Sequence, residues 1–199
     1  INNQIKQYKK LDYSSSNLND KKIQKEIDLA FSELLSDVHS FGQARYHILR
    51  CPNYDFVVSE IKKRANEEYE YIEYDMKNKY SIDSLLEKNP IKHTFIVIKE
   101  KLRCADTIEN KKYIGILYER YTKIAFDDVI IQGMLGRACG YNTTYDCIIY
   151  TNKNSIDKYE KLWNSNFSYP SLGLVEWNSG DKKHSMYNDR SNVDSDYSS

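Results

Sequence analysis

The sequence predicts a doubly wound α/β domain with a mostly parallel sheet. Short runs rich in β-branched and aromatic residues alternate with amphipathic stretches of helical length, which is the pattern of strands joined by crossover helices. The most apolar run, Phe95 to Ile98, shows no polar alternation, as expected for a strand covered on both faces. A chain of 199 residues holds one such domain with a sizeable core and is short for two.

Each element has its own signal. From Asp20 onward, Ile23, Ile27, Ala30, Phe31, Leu34, Leu35 and Val38 recur at three and four residues and form one helical stripe. Residues 45–51 read as a strand, ended by Pro52 and Asn53, and Phe56, Val57, Ile61 and Ala65 make a helix face over 54–68. A strand over 69–76, a short helix opened by Ser81 and the apolar strand over 93–99 follow. Beyond a loop come a strand at 113–119, a helix over 127–141, a strand at 146–151 and a helix at 155–164. The domain is therefore expected over 20–165. Residues 1–19 read as a polar linker leaving something upstream, so that the chain is expected to be a fragment. Residues 166–199 read as a polar tail too poor in apolar groups to order itself, with one candidate strand at 172–177.

Composition excludes several functions. Lys+Arg and Asp+Glu balance at 29 each, so no global field marks a nucleic-acid or membrane surface, although a local basic groove is compatible with the neutral total. The four cysteines include no C-x-x-C pair, which removes a zinc ribbon or redox motif and makes a reducing compartment the default. His39, His47, His93 and His184 are far apart without ligand spacing, so no metal follows from them. No apolar run approaches the roughly 20 residues that cross a bilayer, and an intracellular protein without a membrane partner is expected. Most tyrosines occupy strand or helix positions where an amphipathic ring serves as the edge of a core, a role more economical than stacking on bases.

Two constellations carry candidate chemistry. "IIQGMLGRACGY", residues 130–141, is a helical pattern containing Gly133 and Gly136, each costing about 1 kcal/mol relative to alanine, so the close approach of another backbone or a ligand is expected there. Asp127 or Asp128 is the expected cap, Val129, Ile130, Met134 and Leu135 the apolar face, and Gln132 and Arg137 the polar side. Neither the P-loop spacing with its Lys-Ser or Lys-Thr nor G-x-G-x-x-G is present, so the glycines do not cradle a phosphate in a loop of their own. "KEKLRCADT", residues 99–107, follows the buried strand, at the end where parallel sheets bind ligands, and carries Lys99, Lys101, Arg103, Asp106 and Thr107. Cys104 within it reads as small packing filler, and Arg120 as a surface group.

In this order the two stretches resemble the second RecA-like motor domain of superfamily 2 helicases. "LRCADT" is similar to that family's motif V, with Arg103, Ala105 and Asp106 on matching positions and Cys104 where glycine is usual. "QGMLGRACGY" is similar to motif VI, with Gln132 one residue farther from the Gly-Arg pair than the family pattern and Gly140 where a second arginine would fall. The pattern from Gln132 to Trp163, with the bias toward Asn, Lys, Ile and Tyr, is similar to helicase-like proteins of giant DNA viruses. The resemblance, over about residues 45–163, implies a RecA-like three-layer α/β/α sandwich. It also implies an NTP-hydrolysing helicase or translocase whose missing N-terminal RecA-like domain supplies the P-loop and holds most of ATP and Mg²⁺. Arg137 would be the arginine finger, with Gln132 beside it in the catalytic set. Asp106 would couple nucleotide state to grip, and Lys99, Lys101, Arg103 and Thr107 would contact DNA or RNA. A viral protein of this kind would act in the host cytoplasm or a viral factory. The alternative is a non-catalytic RecA-like module that binds nucleic acid or protein.

Overall fold

Among the described residues six strands supply the frame: β1 (Gln4–Gln7), β2 (Tyr46–Arg50), β3 (Glu70–Tyr74), β4 (Thr94–Ile98), β5 (Ile114–Tyr118) and β6 (Ile148–Thr151). They form one sheet in the order β1-β6-β5-β2-β4-β3, and every pairing is parallel. The structure, a computed structural model, describes residues 4–13, 18–65, 68–99, 108–138, 146–168 and 175–179.

Parallel strands must be joined by crossovers, and the crossovers cover both faces. On one face lie α1 (Lys21–His39), α2 (Tyr54–Arg64) and Ile156 of α6 (Lys153–Asn164), packed on Leu49, Phe95, Val97, Ile116, Tyr118 and Tyr150. On the other, α3 (Ile82–Leu86) and the segment through Met134 and Ala138 pack on Ile48, Ile96, Ile98, Leu117 and Ile149. Successive residues of β4 therefore face opposite layers and all five are buried, as the unalternating apolar run anticipates. The fold is a three-layer α/β/α sandwich around a parallel sheet.

Local chemistry starts the helices. Asp20, Asn53, Ser81 and Asn152 each accept an amide of the first turn of α1, α2, α3 and α6 through the side chain. The helix expected over 127–141 begins differently. Neither aspartate caps it; Phe126 occupies the cap position of α4 (Asp127–Ile130), and Val129, expected on the apolar face, is exposed. A kinked stretch, Ile131–Leu135, and α5 (Gly136–Ala138) follow, with non-helical backbone at Gly133.

Described residues at both polar ends are tied to the domain. Within the presumed linker 1–19, β1 extends the sheet beside β6, and Tyr8, Leu11 and Tyr13 are buried in the core. Tyr118 Oη donates to the Lys9 carbonyl and accepts from its amide, and Asp37 of α1 takes both Lys6 Nζ at 2.7 Å and Tyr150 Oη at 2.5 Å. Tyr118 and Tyr150 stack at 4.5 Å, which places these rings in the core edge rather than on an open surface. In the presumed tail, residues 175–179 are anchored: Asn178 N donates to Asp127 Oδ2, Asp127 N to the Asn178 carbonyl and Asn178 Nδ2 to the Ala125 carbonyl, each at 2.7 Å. Residues 175–177 of the candidate strand are not in a strand, and the rest of it lies outside the described residues.

Candidate functional site at the carboxyl edge

The chain adds β3 and β4 on one side of β2, then crosses to add β5 and β6 on the other. The order of winding thus reverses between β2 and β5. In open α/β sheets the crevice beyond the carboxyl ends of the strands at such a reversal is the usual ligand site. Here it is bordered by Arg50, the last residue of β2, and by Glu119, which follows β5 directly.

Glu119 organises this edge. It is 3% exposed, and burying a carboxylate is costly unless donors surround it. Three do: Met134 N reaches Oε2 at 2.7 Å, and Arg120 N at 2.9 Å and Arg50 Nη1 at 3.2 Å reach Oε1. The reason for Gly133 is now visible. A Cβ there would overlap Glu119 Oε2 and stand 3.1 Å from its Cδ. At Gly136 a Cβ would come to 2.9 Å from the Ile131 carbonyl oxygen. The close approach expected at these glycines comes from the protein's own carboxylate and backbone.

The bend carries the segment from one layer to the other, since Ile130 belongs to the core of one face and Met134 and Ala138 to that of the opposite face. Arg137, three residues beyond Met134, is 7% exposed, and its Nη1 donates to the Gln132 carbonyl at 3.3 Å. The sequence pattern puts this guanidinium on the polar side of the helix; in the structure it is nearly buried and lies against its own segment. The Gln132 side chain is exposed, so the structure joins the two residues through the Gln132 backbone. Lys99 is exposed just past β4, and Arg120 is exposed as expected. Lys101, Arg103, Cys104, Asp106 and Thr107, like Gly140, lie outside the described residues.

A second carboxylate sits at the start of α4. Asp127, 2% exposed, accepts Ser155 Oγ at 2.6 Å, Lys158 Nζ at 2.9 Å and Asn178 N at 2.7 Å, and so ties α4 to α6 and to the returning tail. Cys51, next to Arg50, is no nucleophile: burial pushes its thiol up to about 12. At the opposite edge, His47 Nε2 and His93 Nδ1 are 2.9 Å apart, and His93 lines a cavity of about 570 Å³ with His39, Phe41, Tyr69 and Lys92. Burial first, then His93 and Arg45, hold His47 well below the usual imidazole range. Among the described residues no group of three or more His, Cys, Asp or Glu is placed to hold a metal ion.

Sequence reasoning missed Glu119 and Arg50. A signal existed: Glu119 ends a fully apolar strand, where a charge needs a partner, and Gly133 lies fourteen residues on.

Fold and edge together define an α/β parallel-sheet domain with an arginine-bearing bent segment at its topological switch. No family model matches the chain, and no solved structure matches it. Uncharacterized protein L594 of Acanthamoeba polyphaga mimivirus is 30% identical over 127 residues, covering 59% of this chain. The match spans 30% of that viral protein's length. No helix among the described residues is long and apolar enough to cross a membrane.

Proposed function

We propose that the chain is the second motor domain of an ATP-dependent helicase or translocase of superfamily 2, with Arg137 acting on a nucleotide held mainly by an N-terminal RecA-like domain. One observation carries the reading: Arg137 stands on a segment bent by Gly133 at the switch crevice of a parallel sheet, one turn beyond the contact with Glu119. Phosphoryl transfer asks for positive charge where negative charge develops, and a guanidinium is always charged and donates in a planar fork.

The residues of this edge fit a supporting share in nucleotide binding. Arg50 and Arg137 suit a polyphosphate, whereas the carboxylates of Glu119 and Asp127 are saturated by protein donors and are not available to Mg²⁺. The metal and the P-loop contacts then belong to the facing domain. Lys99, with Lys101, Arg103 and Thr107 in the following loop, would grip phosphates of the strand without reading its sequence, and Asp106 would link that grip to the nucleotide.

In the polypeptide that joins this chain to its ATP-binding half, Arg137→Ala should lower nucleic-acid-stimulated ATP hydrolysis by roughly 10³-fold while ATP binding is retained. Unchanged stimulated turnover would remove the finger assignment, and robust hydrolysis by the 199-residue chain alone would remove the two-domain account.

A second reading has its own observation. Arg137 is nearly buried with Nη1 on the Gln132 carbonyl, the placement of a structural arginine, which favours a non-catalytic module that binds nucleic acid or protein. That reading expects salt-dependent binding with no loss of affinity in Arg137→Ala.

A further inference from the structure

We infer that Glu119 is the positioning residue for Arg137. The inference rests on the motor-domain reading above. Glu119 touches no nucleotide; it sets the bend that decides where the guanidinium stands.

The geometry connects the two residues in a few steps. Oε2 accepts the Met134 amide at 2.7 Å, which fixes the chain immediately after the break at Gly133. Oε1 is held from the other side by Arg50 Nη1 at 3.2 Å and by the Arg120 amide at 2.9 Å, so the carboxylate cannot follow Met134 if that residue moves. Gly133 leaves room for the carboxylate, and Gly136 lets the next turn close on the Ile131 carbonyl. Arg137 leaves this turn, and its Nη1 bond ends on the Gln132 carbonyl, on the other side of the bend. Both ends of that bond therefore move when the bend moves.

Burying this carboxylate desolvates a charge, a cost that an apolar contact would not carry, and its three donors offset that cost while fixing where its oxygens stand. What the carboxylate adds is a fixed bend. A displacement of about 1 Å at a reacting group can cost on the order of 10²-fold in rate.

The test uses Glu119→Gln, which keeps size and one acceptor oxygen, and Gly133→Ala, which displaces the same carboxylate from the other side without removing its charge. In the polypeptide containing the ATP-binding half, both should lower kcat about 10- to 100-fold with the KM for ATP within about twofold, because the arginine acts in the transition state. In the 199-residue chain, labelled with ¹⁵N, both should shift the Met134 amide and the Arg137 Nε resonances together while the rest of the spectrum stays folded. Glu119→Asp should recover part of the lost kcat. Variants with wild-type kcat, or with the Met134 resonance shifted and that of Arg137 unmoved, overturn the inference; Arg137→Ala then still reports on the motor reading by itself. Wild-type turnover in Arg137→Ala overturns both.

Discussion

Gly133→Ala is also the sharpest test of the fold around the bend. A Cβ at this position overlaps Glu119 Oε2, so the carboxylate must withdraw and the Met134 amide loses its 2.7 Å acceptor in a place water does not reach. An unsatisfied buried donor costs about 1–3 kcal/mol, and weakening the charge-assisted bond to Arg50 adds about 1–2 kcal/mol. Removing a glycine returns about 0.4–1 kcal/mol through the unfolded chain. The net loss is about 1–4.5 kcal/mol, centred near 3, which lowers Tm by on the order of 10 °C for a domain of this size. Gly42→Ala is the control, because nothing lies within 4 Å of a Cβ there. Urea unfolding of the two variants beside the parent measures the difference at constant m-value. If Gly133→Ala unfolds within about 1 kcal/mol of Gly42→Ala, Glu119 does not occupy the space assigned to it.

Three further outcomes are expected. His47 has a depressed imidazole in the folded state, so the folded protein binds fewer protons; stability holds above the unfolded value near 6.5 and falls by about 1 kcal/mol between pH 7 and 5.5. Denaturant titrations should show His47→Gln flattening that slope, and an unchanged slope would assign the pH dependence to another group. Tyr150→Phe removes the hydroxyl that donates to Asp37 and should cost about 1.5–3 kcal/mol by thermal unfolding, since the bond is buried and charge-assisted. Truncation after residue 174 removes Asn178 and should accelerate hydrogen exchange at the Asp127 amide, which donates to the Asn178 carbonyl; equal protection with and without the tail would show that the anchor is dispensable.

Much of the architecture was legible because burial on two faces leaves a mark in composition. Phe95 to Ile98 reads as a strand covered on both faces, and the stripe from Ile23 to Val38 as a helix on a core, and both are found. Strand β1 left no such mark. It is an edge strand whose residues are exposed or half-buried, and its place is decided by backbone hydrogen bonds to β6, which any polar sequence can make. Asn178 leaves no such mark either, because it is held by polar bonds at one point rather than by apolar burial along a stretch.

The site divides along the same line. By itself, the sequence marked 127–141 as an amphipathic stretch, with Ile130 and Met134 on its covered side, Gly133 and Gly136 in need of a close neighbour and Arg137 as its candidate cation. Only the tertiary structure decided what that neighbour is. Glu119 and Gly133 are fourteen positions apart, and Arg50 is sixty-nine positions before Glu119; they meet because β2 and β5 are adjacent at the point where the sheet reverses its winding. His47 and His93 meet in the same way, across the neighbouring strands β2 and β4. Periodicity along a chain records which face of an element is covered. Which side chain covers it is set by the order of strands, which no local pattern encodes.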